Sequence, residues 1–327
     1  MADDLATHYQ DVADELVEGN VIPFLGAGAN LCGRPEDAHW TVGQGEYMPN
    51  AYELAFYLAQ RFRYPAADEK ELDRVASDLA RVSQYVAIQR GSRRLYTELH
   101  KIFSPAYRPS PLHRFFARLP SLLRARRSMR PYQLIVTTNY DDALETAFNE
   151  ADEEFDLVWY MAEGEGRGKF MHQAPGAKPV VIEVPNSYID LAPEERCVIL
   201  KIHGDVNRAD PAQPGDDSFV ITEDDYIEFL THSTDPASLI PIGLLDRMKE
   251  NAFLFLGYSL RDWNLRVILY RLWREQTLGS QSWAIQRKPM SFERKFWSLR
   301  RVELLDIDLD DYIRRLEHAV EGNGSPS

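Results

Sequence analysis

The chain has 327 residues, 44% of them hydrophobic and 27% charged, a composition that suits a packed globule and excludes a disordered or fibrous chain. A formal net charge of −14 excludes a uniformly basic nucleic-acid-binding surface, and having only two cysteines, Cys32 and Cys197, excludes a disulfide framework or a four-cysteine zinc module. The acidic, periodic N-terminus is the opposite of a signal peptide and no apolar run approaches the roughly 18 residues that cross a bilayer, so a soluble, cytoplasmic protein without membrane contact is expected.

Residues 3–18 place Leu5, Val12 and Leu16 on one side of a helix that packs ahead of the first strand. The strand Val21–Leu25 then breaks into Gly26-Ala27-Gly28-Ala29-Asn30. Two glycines one residue apart leave the backbone bare enough for peptide N–H groups to approach a phosphate; a tight turn closing a core strand is the alternative. Residues 32–49 form a loop rich in glycine and proline, including Gly33, Gly43 and Gly45, which suits folding over a ligand. Arg34 reads as a loop charge. Asn50, with Glu53 three residues on, forms a capping box that opens a helix through Leu54, Leu58 and Phe62.

Leu72, Val75, Leu79, Val82 and Val86 fall at helical spacing, and Ser110-Pro111 opens a helix with Leu112, Phe115, Phe116 and Leu119. Residues 50–130 therefore read as a helical insertion module between the first two sheet strands. No acid occurs between Glu98 and Asp141, whereas Lys101, Arg108, Arg114, Arg118, Arg124, Arg126, Arg127 and Arg130 all fall there. That stretch is either a contact for a nucleic acid, nucleotide or acidic partner surface, or a solvated helical face paired with acids elsewhere.

The sheet resumes at 134–138 and ends in Asn139-Tyr140-Asp141-Asp142, ahead of a helix over 143–148. A strand at Phe155–Tyr160, a glycine-rich hairpin at 164–168 and a strand at 180–184 lead to Cys197–Lys201, which runs into Ile202-His203-Gly204-Asp205. A short strand at 219–221 precedes a helix capped by Thr222 and Asp225. Ala252–Leu256, the most apolar strand, ends in Gly257-Tyr258-Ser259 before a helix through Trp263, Val267, Leu269 and Leu272, with Asp262 and Asn264 near its start. Strands at Ser282–Ile285 and Val302–Leu305 and a helix over 312–320 complete the domain; 321–327 reads as a disordered tail. The pattern predicts an α/β fold over 1–320: a Rossmann-like, doubly wound, mostly parallel sheet with a helical insertion.

Four strands thus close on glycine or polar clusters, and in a doubly wound sheet such ends converge on one cleft. In order, these clusters resemble the motifs of the sirtuin superfamily, and more closely the bacterial sirtuin-like NAD-hydrolysing proteins of anti-phage defence. FLGAGAN resembles the family's GAG-x-S phosphate turn, TTNYDDALE its T-Q-N-x-D motif and KIHGD its catalytic H-G, while FLGYSLRDWN resembles the late strand-turn-helix of the sirtuin-like branch. The resemblance covers most of residues 15–305.

The resemblance implies cleavage of NAD+, as substrate, at the nicotinamide–ribose bond. Nicotinamide leaves as a neutral ring, so the cost is positive charge developing at the ribose carbon. The catalytic residues implied are Asn139, a neutral carboxamide to orient ribose or attacking water, and His203, an imidazole to accept a proton near neutrality. Gly26, Ala27 and Gly28 would hold the diphosphate with Asn30 beside them, Thr138 would sit at the ribose, Asp141 would meet the nicotinamide amide, and Gly257 and Ser259 would contact phosphate or adenine ribose. Helix capping is the alternative for Asn139, and a structural role the alternative for His203.

Several positions depart from the family pattern. Asn30 stands where the family has serine and Thr138 where it has glutamine, no match to the P-D-F-R stretch of deacylases follows the glycine turn, and two cysteines cannot build the deacylase zinc module. These departures favour water as acceptor, so the chain reads as an NAD+ glycohydrolase with no zinc or other metal, releasing nicotinamide and ADP-ribose. The resemblance further implies a homo-oligomer that is silent until triggered, with a possible defence partner such as a DNA-translocating ATPase or an Argonaute-like protein. The rival readings are a non-catalytic NAD or ADP-ribose sensor and a protein ADP-ribosyltransferase.

Overall fold

The computed structural model describes residues 2–43, 46–206, 218–232, 239–258, 260, 266, 267, 269, 270 and 281–322. Among them one sheet contains β1 (Val21–Leu25), β2 (Leu134–Thr137), β3 (Phe155–Tyr160), β4 (Phe170–Gln173), β5 (Val180–Val181), β6 (Cys197–Lys201), β7 (Ala252–Leu256), β8 (Ser282–Ile285) and β9 (Val302–Leu305). The order across the sheet is β5-β4-β3-β6-β2-β1-β7-β8-β9. Strands β3, β6, β2, β1, β7, β8 and β9 run parallel, while β4 and β5 add an antiparallel edge. The chain moves outward from β1 to one side and later returns to β7 on the other. The carboxyl ends of β2, β1 and β7 therefore flank the point where strand order reverses, which is where open α/β sheets bind ligands. This is the Rossmann-like, doubly wound arrangement expected from the sequence.

Both faces of the sheet are covered. On one lie α1 (Ala2–Glu18), α6 (Pro111–Ala125), α7 (Ala143–Glu150) and the last helix, Leu309–Glu321; on the other lie α8 (Glu223–His232), α9 (Ile242–Glu250) and α10 (Ser291–Ser298). Double burial explains why the central strands are near-continuous apolar runs, broken only where β2 ends in Thr137 and β6 in Lys201. In β7, Phe253 and Phe255 enter the core under α8 to α10, and Ala252, Leu254 and Leu256 enter the opposite core. Burying each such Phe or Leu side chain contributes roughly 1.5–3 kcal/mol.

The insertion contributes α2 (Ala51–Arg61), α3 (Glu69–Val75), α4 (Leu79–Arg90) and α5 (Ser92–Phe103), which share a third core. Leu58, Val82, Leu95 and Leu99 lie in it, and Tyr140, Val206, Phe219 and Ile221 reach into it from the strand ends below. Asn50 forms the expected capping box: its Oδ1 accepts from Glu53 N at 2.8 Å, and Asn50 N donates to the Glu53 carboxylate at 2.9 Å. Helix α6 lies against the sheet, with Phe115, Phe116 and Leu119 in the core shared with α1 and α7.

The structure alters several sequence expectations. The helical spacing from Leu72 to Val86 is split between α3 and α4, because the Asp78 side chain accepts from Arg81 N at 3.1 Å and starts a new helix. The strand at 134–138 ends at Thr137, and the one at 180–184 shrinks to two edge residues. Residues 219–221 form no ladder strand. They lie alongside residues 203–205 beyond the end of β6, with Ser218 N donating to Asp205 O at 2.9 Å and Val220 N to His203 O at 2.8 Å, while Phe219 and Ile221 pack into the insertion core. Thr222 and Asp225 do cap α8: Thr222 N donates to the Asp225 carboxylate at 2.8 Å and Asp225 N to Thr222 Oγ1 at 3.1 Å. Four of the eight basic residues of that stretch pair with acids, Lys101 with Glu98 at 3.8 Å among them. Arg114 meets Glu150 at 3.3 Å, Arg118 pairs with Glu317, and Arg124 pairs with Glu153. Gly45, Ser259, Asp262, Trp263, Asn264, Leu272 and residues 323–327 lie outside the described residues.

Candidate active site

The glycine turn after β1 packs directly on the turn after β7. Gly26 N donates to Leu256 O at 3.1 Å and Gly28 N to Gly257 O at 2.8 Å. A Cβ on Gly28 would stand 2.7 Å from Gly257 O, and one on Gly257, whose φ is +63°, would stand 2.1 Å from Ala29 N. The bareness of this turn is therefore required first by backbone packing, and the Gly26 and Gly28 N–H groups are engaged within the fold. Ala27–Leu31 then forms a 3-10 helix, a shorter element than a dinucleotide-binding helix, and it carries Asn30.

Asn30 and Asp141, distant in sequence, meet across β1 and β2. Asn30 Nδ2 donates to Asp141 Oδ2 at 2.8 Å, and Asp141 Oδ1 accepts from Ala143 N at 3.1 Å at the start of α7. Asp141 therefore joins the glycine-turn segment to the β2 loop. The Asn30 Oδ1 atom is buried and has no hydrogen-bond partner among the described residues. Asn139 is buried, its N–H donates to Thr137 Oγ1 at 3.1 Å, and its Nδ2 donates to Gly26 O at 3.3 Å. Its carboxamide thus binds the glycine turn and does not cap α7, whose N-cap residue is Asp142 and whose first N–H is held by Asp141.

His203 is buried at the end of β6, its ring standing edge-on to Tyr226 at 5.3 Å and Phe229 at 5.9 Å. The next residue must be glycine. Gly204 has φ +96°, and a Cβ there would stand 2.1 Å from Ser218 O.

These groups line one cavity of about 400 Å3. Ala27, Gly28, Asn30, Thr138, Asn139, Asp141, His203 and Gly257 all reach it, while Gly26 does not. The sequence reading missed Tyr52, Leu79 and Phe103 from the insertion and Tyr226 and Tyr258 from the sheet side, which supply its apolar lining. A second cavity, about 690 Å3, shares Gly28, Asn50, Gly257 and Tyr258 with the first and extends along the ends of β8 and β9 to Arg287, Asp308 and Asp310. Together they form a cleft with one wall on each side of the glycine turn.

Arg34, read as a loop charge, proves to be the organiser of the loop that lines the second cavity. Its guanidinium bonds both Glu53 oxygens, at 2.6 and 3.0 Å, and donates to Ala38 O at 2.8 Å and Met48 O at 3.3 Å. Burial raises the Glu53 carboxyl, but the Arg34 and backbone N–H bonds outweigh it and hold it below its ordinary range. A loop arginine 19 residues before a capping-box glutamate gives no periodic signal, so only the fold reveals the pair.

Behind the catalytic candidates lies a buried charge cluster. Lys201 is fully buried; its Nζ donates to Asp141 O at 2.6 Å, Tyr140 O at 3.3 Å and Glu145 Oε1 at 2.7 Å, and pairs with Asp205. Burial alone would favour a neutral lysine, but Asp205 and Glu145 more than offset it, so the ammonium is strengthened. One cation facing two carboxylates leaves an excess negative charge. Burial, opposed by Lys201, accordingly pushes Glu145 up to about 7.

Among the described residues no three His, Cys, Asp or Glu side chains cluster to hold a metal ion, and no helix is long and apolar enough to cross a membrane. The chain is similar to two proteins named NAD(+) hydrolase ThsA. That of Cytobacillus dafuensis is 28% identical over 208 residues, covering 63% of this chain and 33% of its own length. That of Acinetobacter baumannii (strain 532279) is 27% identical over 265 residues, covering 80% of this chain and 41% of its own length. The chain therefore spans between a third and about two fifths of the curated relatives it matches. The family model described as SIR2-like domain matches residues 133–305, more than half of the chain and three of the four strand ends that build the cleft, from Asn139 through His203 to Gly257: the chain belongs to the SIR2-like domain family.

Proposed function

We propose that the chain is an NAD+ glycohydrolase that cleaves the nicotinamide–ribose bond and releases nicotinamide and ADP-ribose. The observation that carries this reading is the convergence of Asn139, His203, Asp141 and Asn30 on one cavity joined across the glycine turn to a second. Two linked chambers suit a dinucleotide lying across the turn, with its two nucleoside halves on opposite sides. The relatives' name, NAD(+) hydrolase ThsA, supports the same substrate.

In this mechanism the 400 Å3 chamber takes the nicotinamide riboside half. Asp141 and Asn30 meet the carboxamide, and Asn139 orients the ribose or the attacking water. His203 accepts the proton of that water or of a ribose hydroxyl as positive charge on the ribose carbon is quenched. Ala27, Gly28, Gly257 and Ser259 serve the diphosphate and the adenine ribose, and Thr138 the nicotinamide ribose. No metal takes part. A role in anti-phage defence, activation within a homo-oligomer, and contact with a partner such as a DNA-translocating ATPase or an Argonaute-like protein belong to the same proposal, as does a cytoplasmic location.

The test is nicotinamide release from NAD+ by the purified protein, alone and with an oligomerising trigger, alongside Asn139→Ala and His203→Ala. Each substitution is expected to lower release by at least about a hundredfold while the fold is retained. Tight NAD+ binding without release under every condition would instead favour a sensor, and label from NAD+ retained on protein would favour an ADP-ribosyltransferase.

A further inference from the structure

Strand β6 is apolar from Cys197 to Leu200 and then places a lysine, with no exposed surface, where the alternation calls for an apolar residue facing α7. A buried ammonium is costly unless every proton is accepted, and a well-packed apolar residue commonly stabilises such a position as well or better. Stability alone therefore does not account for Lys201. Its acceptors do. Tyr140 O and Asp141 O belong to the loop that begins with Asn139; Asp205 belongs to the loop that carries His203; Glu145 anchors the cluster to α7. Tyr140 O also accepts from Val206 N at 3.0 Å, so the ammonium sits on the seam between the two loops.

We propose that Lys201 is a positioning residue: its ammonium holds the Asn139 loop and the His203 loop in one fixed relation across the cleft. The catalytic part of this inference rests on the NAD+-cleaving reading of that cleft. The mechanical part does not. Orienting groups act only within tight tolerances, and a misplacement of about 1 Å costs on the order of a hundredfold in rate. Losing the ammonium frees two loops at once, whereas losing either catalytic candidate removes a single group.

The experiment compares the wild-type chain with Lys201→Met, which keeps the side-chain length without the charge, and with Asp205→Asn, a milder change at a partly accessible partner. Steady-state nicotinamide release and amide hydrogen exchange are measured on each. For Lys201→Met the expectation is kcat lowered about a hundredfold with KM within about threefold, and for Asp205→Asn a loss of about tenfold. Exchange is expected to quicken at residues 138–142 and 202–206 in both variants and to stay unchanged in β1 and β7. Wild-type kcat in both variants, or faster exchange spread evenly over the sheet, would overturn the proposal. Should the wild-type chain release no nicotinamide, the NAD+-cleaving reading fails, while the exchange pattern still decides whether Lys201 couples the loops.

Discussion

Gly28 and Gly257 are locked backbone to backbone: the Gly28 N–H donates to the Gly257 carbonyl at 2.8 Å, and neither residue has room for a Cβ. The contact joins the ends of β1 and β7 at the reversal of strand order, so the floor of the cleft and the middle of the sheet are one structure. Gly257→Ala must accommodate both a positive φ and a methyl group 2.1 Å from Ala29 N. Urea unfolding is expected to show a loss of about 3 kcal/mol or more, combining strain and overpacking. Gly176→Ala, also at positive φ but in open space, is the control and is expected to lose about 1 kcal/mol.

The Arg34–Glu53 pair predicts a second cost. The Arg34 side chain is 6% exposed and that of Glu53 17%, so removing the arginine leaves a carboxylate mostly buried without its cation. Arg34→Ala is expected to destabilise by about 3 kcal/mol, and Arg34→Lys, which cannot form the fork, to recover less than half of that. Because Arg34 also gathers Ala38 and Met48, the apparent KM for NAD+ is expected to rise in both. Unchanged kinetics in Arg34→Ala would separate this loop from the cleft.

Acid lability follows from two buried histidines. Burial lowers His113 to about 4, with Asp141 opposing, and lowers His8 to about 4, with Asp11 opposing. In each case the fold prefers the neutral ring, so the stability is present above the ordinary value of 6.5 and is lost as pH falls through 6.5 toward 4. At about 1.4 kcal/mol per pKa unit, fully buried His113 accounts for roughly 3 kcal/mol of that loss. Unfolding free energy is expected to fall steeply between pH 6.5 and 4. His8→Gln, which keeps a partner for the Tyr312 hydroxyl, should make the fall shallower.

Most strands were legible as short apolar runs, but β4, Phe-Met-His-Gln, is no such run and escaped the sequence reading. That Asn139, Asp141 and His203 would share a cleft was readable from topology alone. What the sequence concealed was contact at long range. No spacing rule links Asn30 to Asp141 or Arg34 to Glu53, and the lysine of KIHGD looks like a strand-end charge until its acceptors are known. The sequence of the glycine turn fits both a phosphate contact and a tight turn closing a core strand, and its nearest constraint in the fold is Gly257. Residues 219–221 have strand composition but lie beyond the end of β6 beside residues 203–205, where Phe219 and Ile221 pack into the insertion core.

The Asn30–Asp141 contact gives the sharpest test of the cleft's electrostatics. Asn30 donates its amide hydrogen to Asp141 Oδ2 at 2.8 Å and keeps a buried Oδ1 in reserve, so the pair presents one negative charge and one free acceptor. Asn30→Ser shortens the side chain but keeps a hydroxyl donor, and is expected to hold NAD+ affinity within about threefold. Asn30→Asp places a second carboxylate against Asp141, and two such groups in contact cannot both ionise, so one pKa must rise strongly. At pH 8 the doubled charge is expected to weaken NAD+ binding by about tenfold or more, through repulsion of the diphosphate and loss of the bridge. As pH falls the pair takes up one proton, a hydrogen-bonded bridge forms again, and affinity returns toward wild type. Calorimetric titration of NAD+ at pH 8 and pH 6 measures both steps, and an Asn30→Asp variant whose affinity is the same at both would show that Asn30 and Asp141 do not face the ligand.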